Sequence, residues 1–395
     1  MAISYDGPPP ASAAWREGDH PGRRKFADLG PLALELGGEL PHLRMAYETF
    51  GTLNADENNA VLILHALTGD SHVSGADTEG HLTRGWWDGL VGPGKGLDTR
   101  GWFLVCPNVL GGCQGTTGPA SPAPDGRPWG ARFPRTTIRD QVAADIALSD
   151  ALGIERWAAV IGGSMGGMRA LEWAVMAPER VGAAVVLSAC AAATADQIGW
   201  CAPQLGAIRG DPRWRGGDYY DAQPGDGPHV GLGIARQIGH LSYRSASEMD
   251  LRFGRHGQPG EDPLRTGRYA VESYLDHHAD KLARRFDANS YVVLTEAMNS
   301  HDIGRGRAGV GEVLAAIQVP LVVGGVTSDR LYPVRLQREI AEGVSTCDGV
   351  REIGSPHGHD GFLIETEAVG AIVREALDRS SMSEDPRLDD RRQAV

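Results

Sequence analysis

The sequence predicts an α/β fold, with a mostly parallel sheet flanked by helices and a helical insertion. Short apolar runs at residues 60–65, 157–161 and 183–187 are typical of strands that are buried on both faces. Patterns with helical spacing separate these runs, and the same alternation returns after residue 319. Alternating strands and helices indicate parallel strands with helices packed on both sides.

Local signals predict the remaining elements. Residues 32–36 and 43–47 have strand patterns joined through Gly37-Gly38, which predicts a hairpin. Thr137, followed three residues later by Asp140, predicts the start of a helix. The other predicted elements are strands at residues 102–106, 320–324 and 350–353, and helices at 168–177, 333–341 and 366–377.

The alternation stops between residues 188 and 318, where helical spacing appears without a strand pattern. We expect this segment to be a helical lid over the carboxyl edge of the sheet. The α/β core then consists of residues 26–187 and 319–378. Residues 1–25, rich in Pro, Gly and Ala, are predicted to be a flexible arm, and the charged residues 379–395 a disordered tail.

The composition argues against several kinds of function. The 395 residues carry a formal net charge of −13, so nucleic acid is a poor candidate for a partner. The five cysteines lack Cys-x-x-Cys spacing, which favours free thiols over a disulfide framework or a cysteine zinc site. The sequence also shows no signal-peptide pattern and no apolar stretch of membrane-spanning length. We therefore expect a cytoplasmic protein with no membrane partner.

Residues 160–167 contain the Gly-x-Ser-x-Gly pattern between a predicted strand and a predicted helix. In such a tight turn only glycine fits on either side of the serine, and the hydroxyl is held at the carboxyl edge of the sheet. The N–H of Met165 and the helix N-terminus then face any oxyanion that forms there. Ser164 is therefore the candidate nucleophile, and a Gly-rich turn with an unused serine is the alternative.

Two loops are predicted to leave strands at the same edge. The turn at Ser164 is a candidate nucleophile elbow, the strand–turn–helix that presents a catalytic serine. Folds with this elbow place a second oxyanion-binding N–H in the loop after a central strand, where residues 65–69 lie. Leu67 is the predicted donor. Residues 108–119 are rich in glycine, but no Gly-Lys-Ser/Thr follows, which argues against a phosphate loop. Composition leaves open whether this second loop shapes the site or is an ordinary surface loop.

A serine nucleophile needs a base, and that base needs a carboxylate. In the chain order nucleophile, acid, histidine, the first acid after the strand at 320–324 is Asp329. The next strand is followed by His357 and His359, and spacing alone does not decide between them. A metal site at this His-x-His-Asp run has no His-Glu-x-x-His motif or cysteine partner, so we expect none.

In combination these motifs resemble the homoserine O-acetyltransferases, which have the α/β-hydrolase fold. The resemblance covers roughly residues 26–377. The sequence departs from the family at Gly361, where alanine is common. The motifs that carry the resemblance are residues 65–69, 108–119, 162–167, 235–238, 243–245, 286–291 and 358–363.

The resemblance implies that Ser164 is the nucleophile, Asp329 the acid and His359 the base. It also implies that Arg236 and Asp360 bind the amino-acid substrate. A forked guanidinium and a nearby carboxylate suit the two charged groups of an α-amino acid. Without the resemblance, Arg236 would be interpreted as an ordinary exposed charge and Asp360 as a turn carboxylate.

The reaction that the resemblance implies is acetyl transfer from acetyl-CoA to L-homoserine through an acetyl-serine, in cytoplasmic homodimers of methionine biosynthesis. Acetyl-CoA is a co-substrate, and no metal or redox cofactor is expected. Three alternatives remain: the same machinery acting on succinyl-CoA or serine, a lid-bearing serine esterase, and an inactive hydrolase fold used for binding.

Overall fold

The computed structural model of the chain describes residues 6–382. Its strands are β1 (Lys25–Asp28), β2 (Leu32–Ala33), β3 (Glu39–Leu40), β4 (Arg44–Phe50), β5 (Ala60–Leu64), β6 (Phe103–Pro107), β7 (Ala159–Gly163), β8 (Ala184–Leu187), β9 (Leu321–Val326) and β10 (Val350–Ile353). Its helices are α1 (Ile138–Ala151), α2 (Met165–Met176), α3 (Ala195–Gly210), α4 (His229–Tyr243), α5 (Ala246–Phe253), α6 (Ala270–Ala283), α7 (Ala288–Asn299), α8 (Val310–Ala316), α9 (Val334–Gly343), α10 (Gly361–Ile364) and α11 (Thr366–Met382).

Within the described part of the chain, eight strands form one sheet in the order β1-β4-β6-β5-β7-β8-β9-β10. Neighbouring strands in the part β6-β5-β7-β8-β9-β10 are all parallel, whereas β4 pairs antiparallel with both β1 and β6. Every residue of the central strands β5 and β7 is buried, as their continuous apolar runs predict. The mostly parallel sheet flanked by helices confirms the predicted fold class.

The predicted hairpin of residues 32–36 and 43–47 is wrong in its pairing. Gly37 and Gly38 both have positive φ, so the chain reverses there and β3 already pairs with β2. The strand β4 pairs instead with β1, a strand that was not predicted. With four residues and charged residues at both ends, β1 is too short to show a strand pattern.

The segment between β8 and β9 contains helices α3 to α8. In its centre α4 packs between α3 and α6, and two glycines permit the close approach. A Cβ on Gly231 would lie 2.4 Å from the carbonyl oxygen of Ala207, and one on Gly233 would lie 3.2 Å from the Cβ of Ala279. Helix α3 was not predicted, because Pro203 interrupts the helical pattern that a capping box at Thr194 begins.

Both ends of the described chain lie against the core. The main-chain N–H of Trp15 donates to the carbonyl of Cys113 over 2.9 Å, although residues 1–25 are predicted to be a flexible arm. Helix α11 continues to Met382, past the predicted start of a disordered tail at residue 379. Residues 1–5 and 383–395 of the two predicted segments lie outside the described residues. No described helix is both long and apolar enough to cross a membrane.

Candidate active site

Ser164 lies between β7 and α2 with φ 57° and ψ −124°, a conformation that non-glycine residues rarely adopt. Its N–H donates to the carbonyl of Leu187 over 2.9 Å, and its own carbonyl accepts from the N–H of Met168 over 3.0 Å. A strained backbone of this kind costs about 1–3 kcal/mol and persists only where the surroundings fix it. These bonds fix the turn that was predicted to present the hydroxyl.

The glycines around Ser164 are required by close backbone contacts. A Cβ on Gly162 would lie 2.0 Å from the carbonyl oxygen of Gly166. A Cβ on Gly166 would lie 2.0 Å from the carbonyl oxygen of Leu64 on the neighbouring strand. Both contacts are with backbone atoms, so a side chain at either position forces β5, β7 and α2 apart.

We expect Gly166→Ala to destabilise the protein by about 3 kcal/mol or more, because overpacking against backbone has no cheap relaxation. Gly199→Ala is a suitable control, since a Cβ there meets nothing within 4 Å in the middle of α3. That change should stabilise the protein by about 0.5–1 kcal/mol. Urea unfolding monitored by circular dichroism gives both values, and equal midpoints for the two variants would contradict this account of the elbow.

Asp329 and His359 form a buried, hydrogen-bonded pair. The Nδ1 of His359 lies 2.6 Å from Oδ2 of Asp329. The other carboxylate oxygen accepts from the N–H groups of Leu331 at 2.9 Å and Tyr332 at 2.8 Å. The carboxylate is therefore fixed in place, and it orients the imidazole with Nδ1 toward the acid.

The structure distinguishes the two histidines that spacing left open. The nearest carboxylate to His357 is that of Glu248, whose Oε1 lies 4.0 Å from Nδ1 of the imidazole, and the His357 side chain is 32% exposed. Between the histidines, Gly358 has φ 66°, and a Cβ there would lie 2.4 Å from the carbonyl of Tyr243. This turn directs His359, and not His357, toward Asp329.

The surroundings raise the pKa of two side chains that line the cleft, His359 and Asp360. Burial lowers the pKa of His359, but the charge and hydrogen bond of Asp329 outweigh it and raise the pKa above its usual value. Burial also raises the pKa of Asp360, although Arg244, at 3.5 Å, opposes that shift. His359 thus gains a proton more readily than a free imidazole, as a general base requires.

Ser164 and His359 line one cleft between the sheet edge and the inserted helices. Both side chains are nearly inaccessible to solvent, at 6% and 4% exposure of the residue. The sequence-predicted residues Leu67, Arg236 and Asp360 line the same cleft. The structure therefore brings together residues from the loop after β5, the turn between β7 and α2, the inserted helix α4 and the segment that follows β10.

Arg236 and Asp360 do not contact each other by an ion pair. The Nη1 of Arg236 lies 3.3 Å from Oγ1 of Thr68, and its guanidinium lies 5.7 Å from the ring centroid of Tyr243. The rings of Tyr243 and Tyr332 also flank His359, at centroid distances of 5.9 and 5.1 Å. Neither tyrosine was predicted to be a site residue, although Tyr243 belongs to the motif at residues 243–245.

His65 supports the loop that carries Leu67. Its Nδ1 lies 2.8 Å from the carbonyl of Ala66, and its Nε2 accepts from the N–H of Val109 over 3.1 Å. Burial lowers the pKa of His65 to about 4, so the ring is neutral and donates through Nδ1. Because Val109 belongs to the glycine-rich loop 108–119, that loop supports the site and is not a plain surface loop.

Met165 is the first residue of α2, and the first N–H groups of a helix have no partner within the helix. The helix N-terminus is also the positive end of its dipole. Met165 directly follows Ser164, and Leu67 lines the cleft that contains Ser164. Their role in binding an oxyanion stays a prediction.

Among the described residues, one group of side chains has the composition of a metal site: Glu48, His72 and His81. Hydrogen bonds within the protein already occupy ring nitrogens of both histidines, and these bonds explain why the side chains lie together without invoking a metal ion. The two ring nitrogens of His72 lie 3.2 Å from Oε2 of Glu48 and 3.2 Å from the carbonyl of Ala76. The Nε2 of His81 accepts from the N–H of Arg23 over 2.9 Å. This group ties the loop after β5 to β4 and does not line the Ser164 cleft.

Comparison with known proteins identifies the family. The family model of the alpha/beta hydrolase fold matches residues 59–364. The homoserine O-acetyltransferase of Thermobifida fusca (strain YX) is 61% identical over 378 residues, which cover 95% of this chain and 100% of that protein. The chain belongs to the homoserine O-acetyltransferase family. The resemblance drawn from the motifs is thereby confirmed.

The solved structures similar to this chain include both homoserine O-acetyltransferases and esterases. A homoserine O-acetyltransferase from Bacillus anthracis is 28% identical, with a TM-score of 0.81 over 90% of this chain and 97% of that one. Esterase E22 is 26% identical, with a TM-score of 0.80 over 90% and 99%. The backbone is thus shared by proteins named for acyl transfer and for ester hydrolysis. Membership of the transferase family rests on the much higher identity to the curated relative.

Proposed function

We propose that this protein transfers the acetyl group of acetyl-CoA to the side-chain hydroxyl of L-homoserine, giving O-acetyl-L-homoserine and CoA. The observation that carries the proposal is that His359, hydrogen-bonded to the buried Asp329, lines one cleft with the strained Ser164. The 61% identity to a homoserine O-acetyltransferase supports the choice of substrates.

In the first half-reaction Ser164 is the nucleophile, and His359 takes its proton as the hydroxyl attacks the thioester carbonyl. The N–H groups of Leu67 and Met165 stabilise the oxyanion of the tetrahedral intermediate. The carbon–sulfur bond then breaks, His359 returns the proton to the sulfur, and CoA leaves. An acetyl ester on Ser164 remains.

In the second half-reaction His359 removes the proton from the hydroxyl of homoserine, whose oxygen attacks the acetyl-serine. The bond to the Ser164 oxygen breaks, and the proton passes from His359 to that oxygen. Asp329 fixes the imidazole orientation and stabilises its charged form in both halves. These steps balance with protein groups alone, so no metal or redox cofactor is part of the proposal.

Arg236 and Asp360 are the proposed contacts of the amino acid. The guanidinium suits the carboxylate of homoserine and the Asp360 carboxylate suits its ammonium. Both residues line the Ser164 cleft, one from α4 and one beside His359. Two fixed charges orient the acceptor hydroxyl, which favours its attack over that of water.

Release of free thiol from acetyl-CoA, measured with and without L-homoserine, tests this function. We expect homoserine-dependent release and O-acetyl-L-homoserine in the mass spectrum of the products. Parallel reactions with succinyl-CoA and with L-serine test the closest alternatives and should be slow. Release that ignores homoserine and yields acetate would instead identify an esterase, in line with the structural likeness to E22.

The proposal includes the homodimeric assembly and cytoplasmic location that the family implies. Support for a dimer comes from α4, where Val230, Ile234 and Leu241 are 51%, 42% and 38% exposed along one helix face. Support for a reducing compartment comes from the five cysteines, all of which are free thiols. Sedimentation equilibrium should give twice the chain mass of 42.0 kDa, and a monomer would contradict the assembly.

A further inference from the structure

A second cleft adjoins the one that contains Ser164, and its lining is strongly basic. Thr68 and Arg236 line both clefts, so the two clefts adjoin at these residues. His278, Lys281 and Arg285 line only the second. The cations Arg236, Lys281 and Arg285 stand out together in a chain with a net charge of −13.

Three of these residues lie near the end of α6 and in the turn that follows it. His278 and Lys281 belong to α6, and Arg285 follows two residues after its end. Spacings of three and four residues place the side chains in a row. The like charges of Lys281 and Arg285 repel each other, so the pair is unfavourable without a counter-charge.

Protein carboxylates do not neutralise this row. Within the described residues, neither Lys281 nor Arg285 forms an ion pair with a carboxylate. Arg285 instead donates to the carbonyl of Thr68 over 2.9 Å. The neighbouring Arg284, by contrast, is paired with Asp280 at 2.9 Å. Asp70 is the single acid that lines the cleft in the described structure.

The unbalanced charge affects the titration of the groups around it. Burial lowers the pKa of Lys281, and the charges of Arg285 and Arg236 lower it further. Burial lowers the pKa of His278 to about 3, and Arg236 again adds to the shift. The cleft therefore has a positive potential that a bound anion would relieve.

We propose that Lys281 and Arg285 bind the phosphate groups of the acyl-CoA donor. This proposal rests on the proposed function. The thioester of acetyl-CoA must reach Ser164, and the pantetheine arm separates it from the phosphates. The phosphate site must therefore lie apart from Ser164, and these two residues line the cleft that adjoins the Ser164 cleft. Lysine and arginine are the side chains that bind phosphate most effectively.

The carboxylate of homoserine is the other anion to consider. Its hydroxyl must attack the acetyl group on Ser164, so its carboxylate must lie close to that serine. Arg236 lines the Ser164 cleft and satisfies this condition, whereas Lys281 and Arg285 do not line it. The geometry thus assigns Arg236 to the acceptor and the two further cations to the donor.

The variant Lys281→Ala tests the proposal. Among the described residues the ammonium has no hydrogen-bond partner, so its removal should not disturb the fold. Only three of the 38 basic residues are lysines. Lys25→Ala is the matched control, since it removes the same charge from the exposed edge strand β1. Kinetics are measured with acetyl-CoA and with S-acetyl-pantetheine, which has the same thioester and no phosphate.

We expect Lys281→Ala to raise the KM for acetyl-CoA about tenfold, as the loss of one charge-assisted hydrogen bond predicts. The preference for acetyl-CoA over S-acetyl-pantetheine, taken as a ratio of kcat/KM, should fall about tenfold. Lys25→Ala should retain both values. An unchanged KM for acetyl-CoA, or an equal loss with both donors, would overturn the proposal. A rise in the KM for homoserine alone would assign the row to the acceptor carboxylate.

Calorimetric titration of CoA into Ser164→Ala, with and without Lys281→Ala, separates this proposal from the proposed function. Weaker CoA binding in the double variant supports the phosphate site even if the protein hydrolyses acetyl-CoA instead of transferring its acetyl group. Equal CoA affinity in the two proteins would refute the phosphate site while leaving the transferase activity intact.

Discussion

Replacing Ser164 with alanine is expected to reduce acetyl transfer by at least about 10⁴-fold, because no acetyl-enzyme can then form. Thiol release from acetyl-CoA in the presence of L-homoserine measures the loss. Alanine retains the Cβ at this φ 57° position, so the fold should be kept, and binding of CoA should persist.

Ser188→Ala is a close control for this change. Ser188 is fully buried, follows the next strand β8, and has φ 45°. Its hydroxyl has no hydrogen-bond partner in the described structure, and it does not line the Ser164 cleft. We expect Ser188→Ala to transfer acetyl groups at about the normal rate. Retention of transfer by Ser164→Ala would refute a covalent mechanism at this residue.

Asp329→Asn is expected to lower kcat by about 10⁴-fold, the loss seen when the acid of a serine triad can no longer hold the imidazole in its working tautomer. The buried Nδ1 of His359 then faces an amide in place of a carboxylate. His357→Asn is the control from the same loop, since His357 is turned away from Asp329. Its activity should remain near normal, and a large loss there would reassign the base.

The pH dependence gives a second test of the Asp329–His359 pair. His359 acts as a base only when neutral, and its raised pKa means that activity declines as pH falls through a value above 6.5. In Asp329→Asn the carboxylate that raises the pKa is gone, while burial still lowers it. The acid limb of the remaining kcat/KM profile should therefore shift to lower pH. An unchanged limb would mean that another group controls the reaction.

The sequence predicted the parts of the site that depend on local geometry. The elbow at Ser164 follows from glycines whose positions leave no space for a Cβ, and such contacts are encoded by residue type alone. Strand-end order also predicted that Asp329 and a histidine would meet. The choice of His359 depends on the positive φ of Gly358 and on the close approach of Gly358 to Tyr243 at the end of α4. Gly358 and Tyr243 are far apart in the sequence, so the spacing of the two histidines could not predict their contact. The assignment of His359 as the base therefore rested on the family resemblance.

The basic cleft also depends on contacts between residues that are far apart in the sequence. Lys281 and Arg285 have a spacing that is visible in the sequence, but the carbonyl of Thr68 and the guanidinium of Arg236 reach them only in the folded chain. The error in the first strands has a related cause. Pairing of β4 with β1 and β6 is decided by the whole sheet, and two adjacent glycines indicate a turn without specifying which strands it joins.

The central claim is that acetyl transfer to homoserine passes through an ester on Ser164, and mass spectrometry of the intact protein tests it most directly. After mixing with acetyl-CoA alone, we expect a mass increase of one acetyl group, located on the peptide that contains Ser164. Addition of L-homoserine should discharge it rapidly, with O-acetyl-L-homoserine as the product. An unmodified protein that still forms product, or an adduct that decays equally fast without homoserine, would contradict the account.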